Sequence, residues 1–212
     1  MAKIPQGILG GIRGRVGNIV GAAWKGINYI RSMPLSVANP NTAAQQAQRG
    51  AFTQVVLVAR LGLSSLIAPY WDPFARAMSG YNYFISRNIA AFNTAGLNLP
   101  AQFDYSRGIL TGVDNLAAVF DDSDNNVVVT WDDNSGDGDA LATDTFNFGF
   151  YNVTQDYWIL DGITADVRSN ATGTYSYSRP VAGDVIEFYA FFQRPDVSRI
   201  SDSAHLQTTV VA

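Results

Sequence analysis

The chain has 212 residues, no cysteine and a formal net charge of −4. Its length admits one or two domains; the missing cysteine excludes disulfides and thiolate metal sites, and with one histidine and one glutamate no usual nucleophile–base–acid set can be assembled nearby in sequence, so no enzyme is expected, although the abundant aspartate pairs leave a carboxylate-only hydrolase open. The charge is sorted along the chain: residues 1–100 carry nine cations against one acid, Asp72, whereas residues 101–212 carry five arginines against seventeen acids, and a body with opposite poles is expected to attract copies of itself head to tail.

The first block, residues 1–35, is basic and glycine-rich. Gly17-Asn-Ile-Val-Gly-Ala-Ala-Trp24 and Ile27-Asn-Tyr-Ile-Arg31 flank Lys25-Gly26. Two apolar runs around such a pair predict a β-hairpin, because glycine tolerates the positive φ of a tight turn. The recurrence of Gly7, Gly10, Gly14, Gly17 and Gly21 allows a rival reading as a cationic, membrane-active helix. Each interior glycine costs a helix about 1 kcal/mol relative to alanine, which favours the hairpin. No stretch reaches the roughly 18–20 apolar residues of a membrane span, and none reads as an export signal.

Residues 36–100 read as two helices. Thr42-Ala-Ala-Gln45 fits a capping box, and Phe52, Val55, Val56, Ala59, Leu63 and Leu66 keep helical spacing after it. Gly62 weakens the run and Pro69 ends it. Asp72-Pro73 predicts a restart, with Phe74, Met78, Tyr81, Ile85, Ile89 and Phe92 as one stripe and the seam of an antiparallel pair. Residues 93–100 read as a loop.

Residues 101–212 read as β. Val127, Val129 and Trp131 alternate with Val128 and Thr130; Phe146, Phe148 and Phe150 alternate with Asn147, Gly149 and Tyr151; Ile186, Phe188, Ala190 and Phe192 follow the same rule. Period two with aromatics on one side predicts half-buried antiparallel strands. Further strands are expected at 109–120, 157–160, 174–178 and 204–211. About seven strands in such a length make a β-sandwich. A tryptophan on an early strand, and Pro180-Val-Ala-Gly183-Asp184 leading into an aromatic strand, resemble a fibronectin type III or immunoglobulin-like domain. The fold class is therefore α+β: a hairpin arm, an antiparallel helix pair and an antiparallel sandwich.

Several stretches go further. Gln6-Gly-Ile-Leu-Gly10, Gly14-Arg-Val-Gly-Asn-Ile-Val-Gly21, Trp24-Lys-Gly-Ile-Asn-Tyr-Ile-Arg31, Asn39-Pro-Asn-Thr-Ala-Ala-Gln-Gln-Ala-Gln-Arg49 and Trp131-Asp-Asp-Asn-Ser-Gly136 resemble an uncharacterised family, a domain of unknown function known from Bacteroidota and their phages. The resemblance spans most of the chain. It implies one unit with a stereotyped basic arm, and it supplies no catalytic residues.

Two sets of side chains stand out for assembly. Arg13, Arg15, Trp24, Lys25, Tyr29 and Arg31 are the candidate donor surface on the arm, and Asp132, Asp133, Asp137 and Asp139 are the candidate acceptor. Strand addition would supply main-chain hydrogen bonds, and opposite charge would set polarity. The acidic loop also echoes a calcium-binding loop: Asp133, Ser135, Asp137 and Asp139 fall at positions 1, 3, 5 and 7, Gly138 at 6 and Asp144 at 12. Aspartate where a bidentate glutamate belongs, and strands in place of flanking helices, depart from that pattern. A solvated acidic loop and docking against a basic neighbour remain as alternatives. Tyr151, Tyr157, Trp158, Tyr175 and Tyr177, taken as exposed, could stack on glycans. His205, near Asp202, reads as a strand-surface residue. The cations of the first half are too dispersed, and the whole chain too acidic, for nucleic acid. The expected function is a non-enzymatic structural subunit that polymerises with itself into a filament, a tube or part of a phage particle. The alternative is a surface or secreted sandwich that binds glycan or calcium.

Overall fold

A computed structural model describes residues 11, 13–36, 40–177 and 179–212. The chain divides into two compact units, Met1–Thr42 and Ala43–Ala212. The first holds a three-stranded antiparallel meander, β1 (Gly14–Val16), β2 (Ile19–Trp24) and β3 (Ile27–Ser32). Its second turn is the one expected: Trp24 pairs with Ile27, and Lys25 and Gly26 have φ of 48° and 82° between them. Both central residues of a type I′ turn need positive φ, and its twist matches the flanking strands. The hairpin is extended by β1, through a turn in which Gly17 has φ of 58°. The rival helix does not form over 14–21: Gly14 pairs with Gly21 across a sheet. Gly7 and Gly10 lie outside the described residues.

In the second unit, α1 (Ala43–Leu61) begins directly after Thr42. It buries Ala51, Val55, Val58 and Ala59, so its inward face is turned from the one read off the spacing, and Phe52 and Leu63 are exposed. At Gly62 the helix passes into a π turn, Leu63–Ile67, and then α2 (Ala68–Tyr70). A β-carbon on Gly62 would stand 2.9 Å from Leu66 and 3.1 Å from Leu160. The second long helix starts later than Asp72-Pro73 suggests. That pair opens a single 3₁₀ turn, Asp72–Phe74, and α3 runs over Gly80–Asn88 with Ser79 accepting from the Asn82 N–H. Asp72 still helps start it, because its Oδ1 accepts the Gly80 N–H at 2.8 Å. Of the predicted stripe, Ile85 and Phe92 are buried and Met78 is exposed. Where a plain loop was expected, Phe92–Asn93 (β4) and Gly96–Leu97 (β5) form a two-stranded ladder.

The sandwich has the strand complement expected of it. One sheet orders β10 (Thr172–Ser176), β7 (Asn126–Thr130) and β6 (Ala117–Asp121). The other orders β12 (Ala204–Thr209), β11 (Val185–Gln193), β8 (Thr145–Asn152) and β9 (Tyr157–Val167). All pairings are antiparallel. Phe120, Val127, Val129 and Trp131 meet Phe146, Phe148, Phe150, Phe188 and Phe192 between the sheets, and Trp131 stacks on Phe146 with ring centroids 4.0 Å apart.

β8 and β11 are not half-buried. The helical layer covers the outer face of their sheet, so Tyr189 and Phe191 pack with Val55, Leu66, Trp71, Phe84 and Tyr105. Gly149 on β8 makes room for this layer: a β-carbon there would lie 2.3 Å from the Tyr105 ring. The result is three layers, sheet on sheet on helices, in one compact unit. Among the described residues, no single helix is long and apolar enough to cross a membrane.

Candidate interaction surface

The register of the arm sheet sorts its side chains onto two faces, because residues directly opposite in an antiparallel pair point the same way. Arg15, Val20, Ala22, Trp24, Ile27, Tyr29 and Arg31 share one face. Four of the six donor candidates, Arg15, Trp24, Tyr29 and Arg31, are thus brought together. Lys25 sits in the turn with its Nζ 5.0 Å from the Trp24 ring centroid, and Arg13 directly precedes β1. The other face carries Val16, Ile19 and Ile30. Neither face has a core: Trp24, Ile27, Tyr29 and Ile30 are 63%, 65%, 44% and 60% exposed. Small sheets ordinarily need a packed apolar face for independent stability. Arg15 Nε donates to the Gly17 carbonyl at 3.1 Å, and none of the arm's arginines is ion-paired among the described residues.

The acidic loop divides differently from its sequence pattern. Asp132, Asp133 and Asp137 are exposed. Asp132 accepts from Asn115 Nδ2 at 2.5 Å, and Asp133 accepts the Ser135 N–H at 3.1 Å. Bonding from Ser135 lowers the pKa of the Asp133 carboxyl. Asp139 faces the other way. It pairs with Arg199 Nη1 at 2.5 Å and accepts from the backbone and hydroxyl of Thr111. The Arg199 bond is the main cause that brings its pKa down from 3.8 to about 2.

Asp144 is an interior strut. It is fully buried, with Oδ2 accepting from Arg168 Nη2 at 3.2 Å and from the Leu141 N–H at 2.8 Å, and Oδ1 accepting from Arg194 Nε at 3.0 Å. Arg168 is fully buried too. It donates to the Thr111 carbonyl at 2.9 Å and to Asn134 Oδ1, and its Cζ lies 3.8 Å from the Phe192 ring centroid. Burial lowers its pKa while Asp144 opposes that shift. Asp133, Ser135, Asp137, Asp139 and Asp144 therefore do not converge on one centre, and no group of three or more acidic or histidine side chains that could hold a metal ion occurs among the described residues. The arginines that claim Asp139 and Asp144 lie 24–60 residues away, beyond the reach of a local pattern.

The aromatic candidates are not an exposed platform. Tyr151 is buried and stacks on Trp158 at 4.6 Å, with its hydroxyl donating to Asp156. Tyr157, Tyr175 and Tyr177 pack against the inter-sheet core. His205 meets Glu187 rather than Asp202: Nε2 and Oε2 are 2.6 Å apart, and Gln207 donates to the other carboxylate oxygen. The single histidine and single glutamate are thus spent on each other.

The sheet edges complete the surface. On one side the sandwich is closed by backbone bonds: the Val211 N–H donates to the Phe120 carbonyl, and the Asp122 N–H to that of Val211. On the other, β9 and β10 each have one strand neighbour and are linked by a side-chain bond from the Tyr175 hydroxyl to Asp166 at 2.8 Å. β10 starts beside the acidic loop, since Thr172 pairs with Thr130 and the Trp131 N–H donates to the Ala171 carbonyl.

Compared with known proteins, residues 11–207 match the family model described as Family of unknown function (DUF6266). No curated protein matches the chain. Among solved structures, an Fn3-like protein from Clostridium thermocellum is similar at 17% identity and a TM-score of 0.31, over 48% of this chain and 94% of that one.

Proposed function

The chain belongs to this family of unknown function, and we propose that it is a non-enzymatic structural subunit whose basic arm joins one copy to the acidic body of the next, building a filament, a tube or a component of a phage particle. One observation carries the reading: a regular sheet with Trp24, Ile27, Tyr29 and Ile30 on its two faces has no core of its own, while the body packs most of its aromatics into two cores and leaves Phe52 exposed. Burying such a face against a neighbour supplies the missing apolar contact.

Residues 1–42 contain five cations and no acid, and residues 43–212 nine cations and eighteen acids. The donor therefore repels donors and attracts bodies. The acceptor is the β10 edge. Its exposed Thr172, Thr174 and Ser176 present little steric hindrance, and Asp132, Asp133 and Asp137 stand near its start for Arg13, Arg15, Lys25 and Arg31 to meet. Pairing of β3 with β10 is a heterologous contact, which propagates into rings or fibres.

Electron microscopy of the purified protein across a salt series tests this. Fibres, tubes or rings are expected at low salt, loosening above a few hundred mM as the Debye length falls to about 3–5 Å. Monomers that persist at high protein concentration and low salt would overturn the proposal.

A further inference from the structure

We infer that the body carries a binding site for a small molecule with an oxyanion on an aromatic or apolar frame, lined by Arg76, Arg107 and Arg199. The three arginines come from three separate segments and line one open cavity of about 400 Å³, with Phe74, Tyr83 and Ser198 beside them and no carboxylate among the lining residues. That volume lies within the range of pockets that take small ligands.

The guanidinium groups are only partly used. Arg107 engages Asp104 and Asp202 through Nη1, at 3.5 and 3.7 Å. Arg199 engages Asp139, likewise through Nη1. The remaining N–H donors of both carry no bond among the described residues, and Arg76 has no hydrogen-bond or ion-pair partner there at all. Protein carboxylates already neutralise Arg107 and Arg199 in part, so the charge left for an anion is chiefly that of Arg76, with the unused N–H donors of the other two beside it. Guanidinium forks suit carboxylate and phosphate oxygens, which they bind by paired N–H bonds.

The floor is built to hold this arrangement. Residues 105–110 are fastened to residues 200–203 by five hydrogen bonds: Leu110 N–H to the Ile200 carbonyl, Gly108 N–H to Asp202 Oδ1, the Ser106 hydroxyl to the Ser201 carbonyl, Tyr105 N–H to the Ser203 hydroxyl, and Ser203 N–H to the Ser106 carbonyl. At Gly108 the two segments approach so closely that a β-carbon would lie 1.8 Å from the Ile200 carbonyl oxygen. Arg107 and Arg199 thus project from adjoining, fixed backbone. Phe74 and Tyr83 add aromatic walls, which a bare inorganic ion would not use. The site involves no residue of the arm and stands independently of assembly.

The test is titration of the full-length protein with phenyl phosphate, benzoate and inorganic phosphate, followed by NMR at the backbone amides of Gly108 and Ser198. Saturable shifts are expected with phenyl phosphate or benzoate, and which of the two binds more tightly identifies the anion as phosphate ester or carboxylate. Inorganic phosphate is expected to bind more weakly than phenyl phosphate. Arg76→Gln removes an exposed, unpaired side chain, so its melting temperature should not change, while affinity should fall about tenfold or more. Absence of saturable shifts with either aromatic anion up to about 10 mM would overturn the inference. Affinity unchanged in both Arg76→Gln and Arg199→Lys would do so too, as would equal affinity for inorganic and phenyl phosphate.

Discussion

Strands β3 and β11 have similar chemistry and opposite fates. Ile27-Asn-Tyr-Ile-Arg-Ser32 and Val185-Ile-Glu-Phe-Tyr-Ala-Phe-Phe-Gln193 both set aromatic and β-branched residues into a regular antiparallel ladder. β11 is buried on both faces, by the opposing sheet and by the helices, whereas every residue of β3 is exposed. Strand propensity and register are local; cover is not. A segment that forms good local structure but leaves its apolar face open is what the proposed assembly builds on, with the charge imbalance between the units as its support.

Mutation turns this contrast into numbers. Phe188→Ala removes a fully buried ring between two sheets and should cost about 3–5 kcal/mol in denaturant unfolding. Trp24→Ala deletes a larger ring, yet should shift the stability of the isolated monomer by less than about 0.5 kcal/mol, because that ring is mostly exposed. Comparable losses in both variants would erase the distinction.

The acidic loop offers a smaller version of the same test. Asp144→Ala strands two arginines, one fully buried, and should cost about 3 kcal/mol. Asp139→Asn breaks a half-exposed pair and should cost under about 1 kcal/mol. Its pH dependence has a definite sign. The folded carboxyl titrates near 2 and the free one at 3.8, so the pair contributes fully above about pH 4 and its contribution disappears as the pH falls toward 2. Melting temperatures of wild type and Asp139→Asn should therefore differ at pH 6 and converge near pH 2.

What could be read from the residues follows the range of the interaction concerned. The Lys25-Gly26 turn, the alternating runs at 127–131, 146–150 and 186–192, and the sandwich they build depend on neighbours in sequence, and all were legible. β1 was not, because three residues, one of them Gly14, carry almost no pattern. Nor was the third layer foreseen, although β11 gave a signal: a near-continuous apolar run marks a strand covered on both sides. The assignment of Asp144 to a calcium-like loop rested on spacing alone, whereas its partners Arg168 and Arg194 are fixed by the fold. Arg76, Arg107 and Arg199 carry no sequence signal for the same reason, since they lie far apart along the chain and meet only around a cavity.

The most direct measurement of the central claim uses the absence of native cysteine. Copies bearing Tyr29→Cys are mixed with copies bearing Thr174→Cys at low salt and oxidised, and the products are mapped by mass spectrometry. The account predicts a disulfide joining position 29 of one copy to position 174 of another, and its failure to form when mixing and oxidation are carried out at high salt. Disulfides confined to like variants, or no cross-linked product at any concentration, would contradict it.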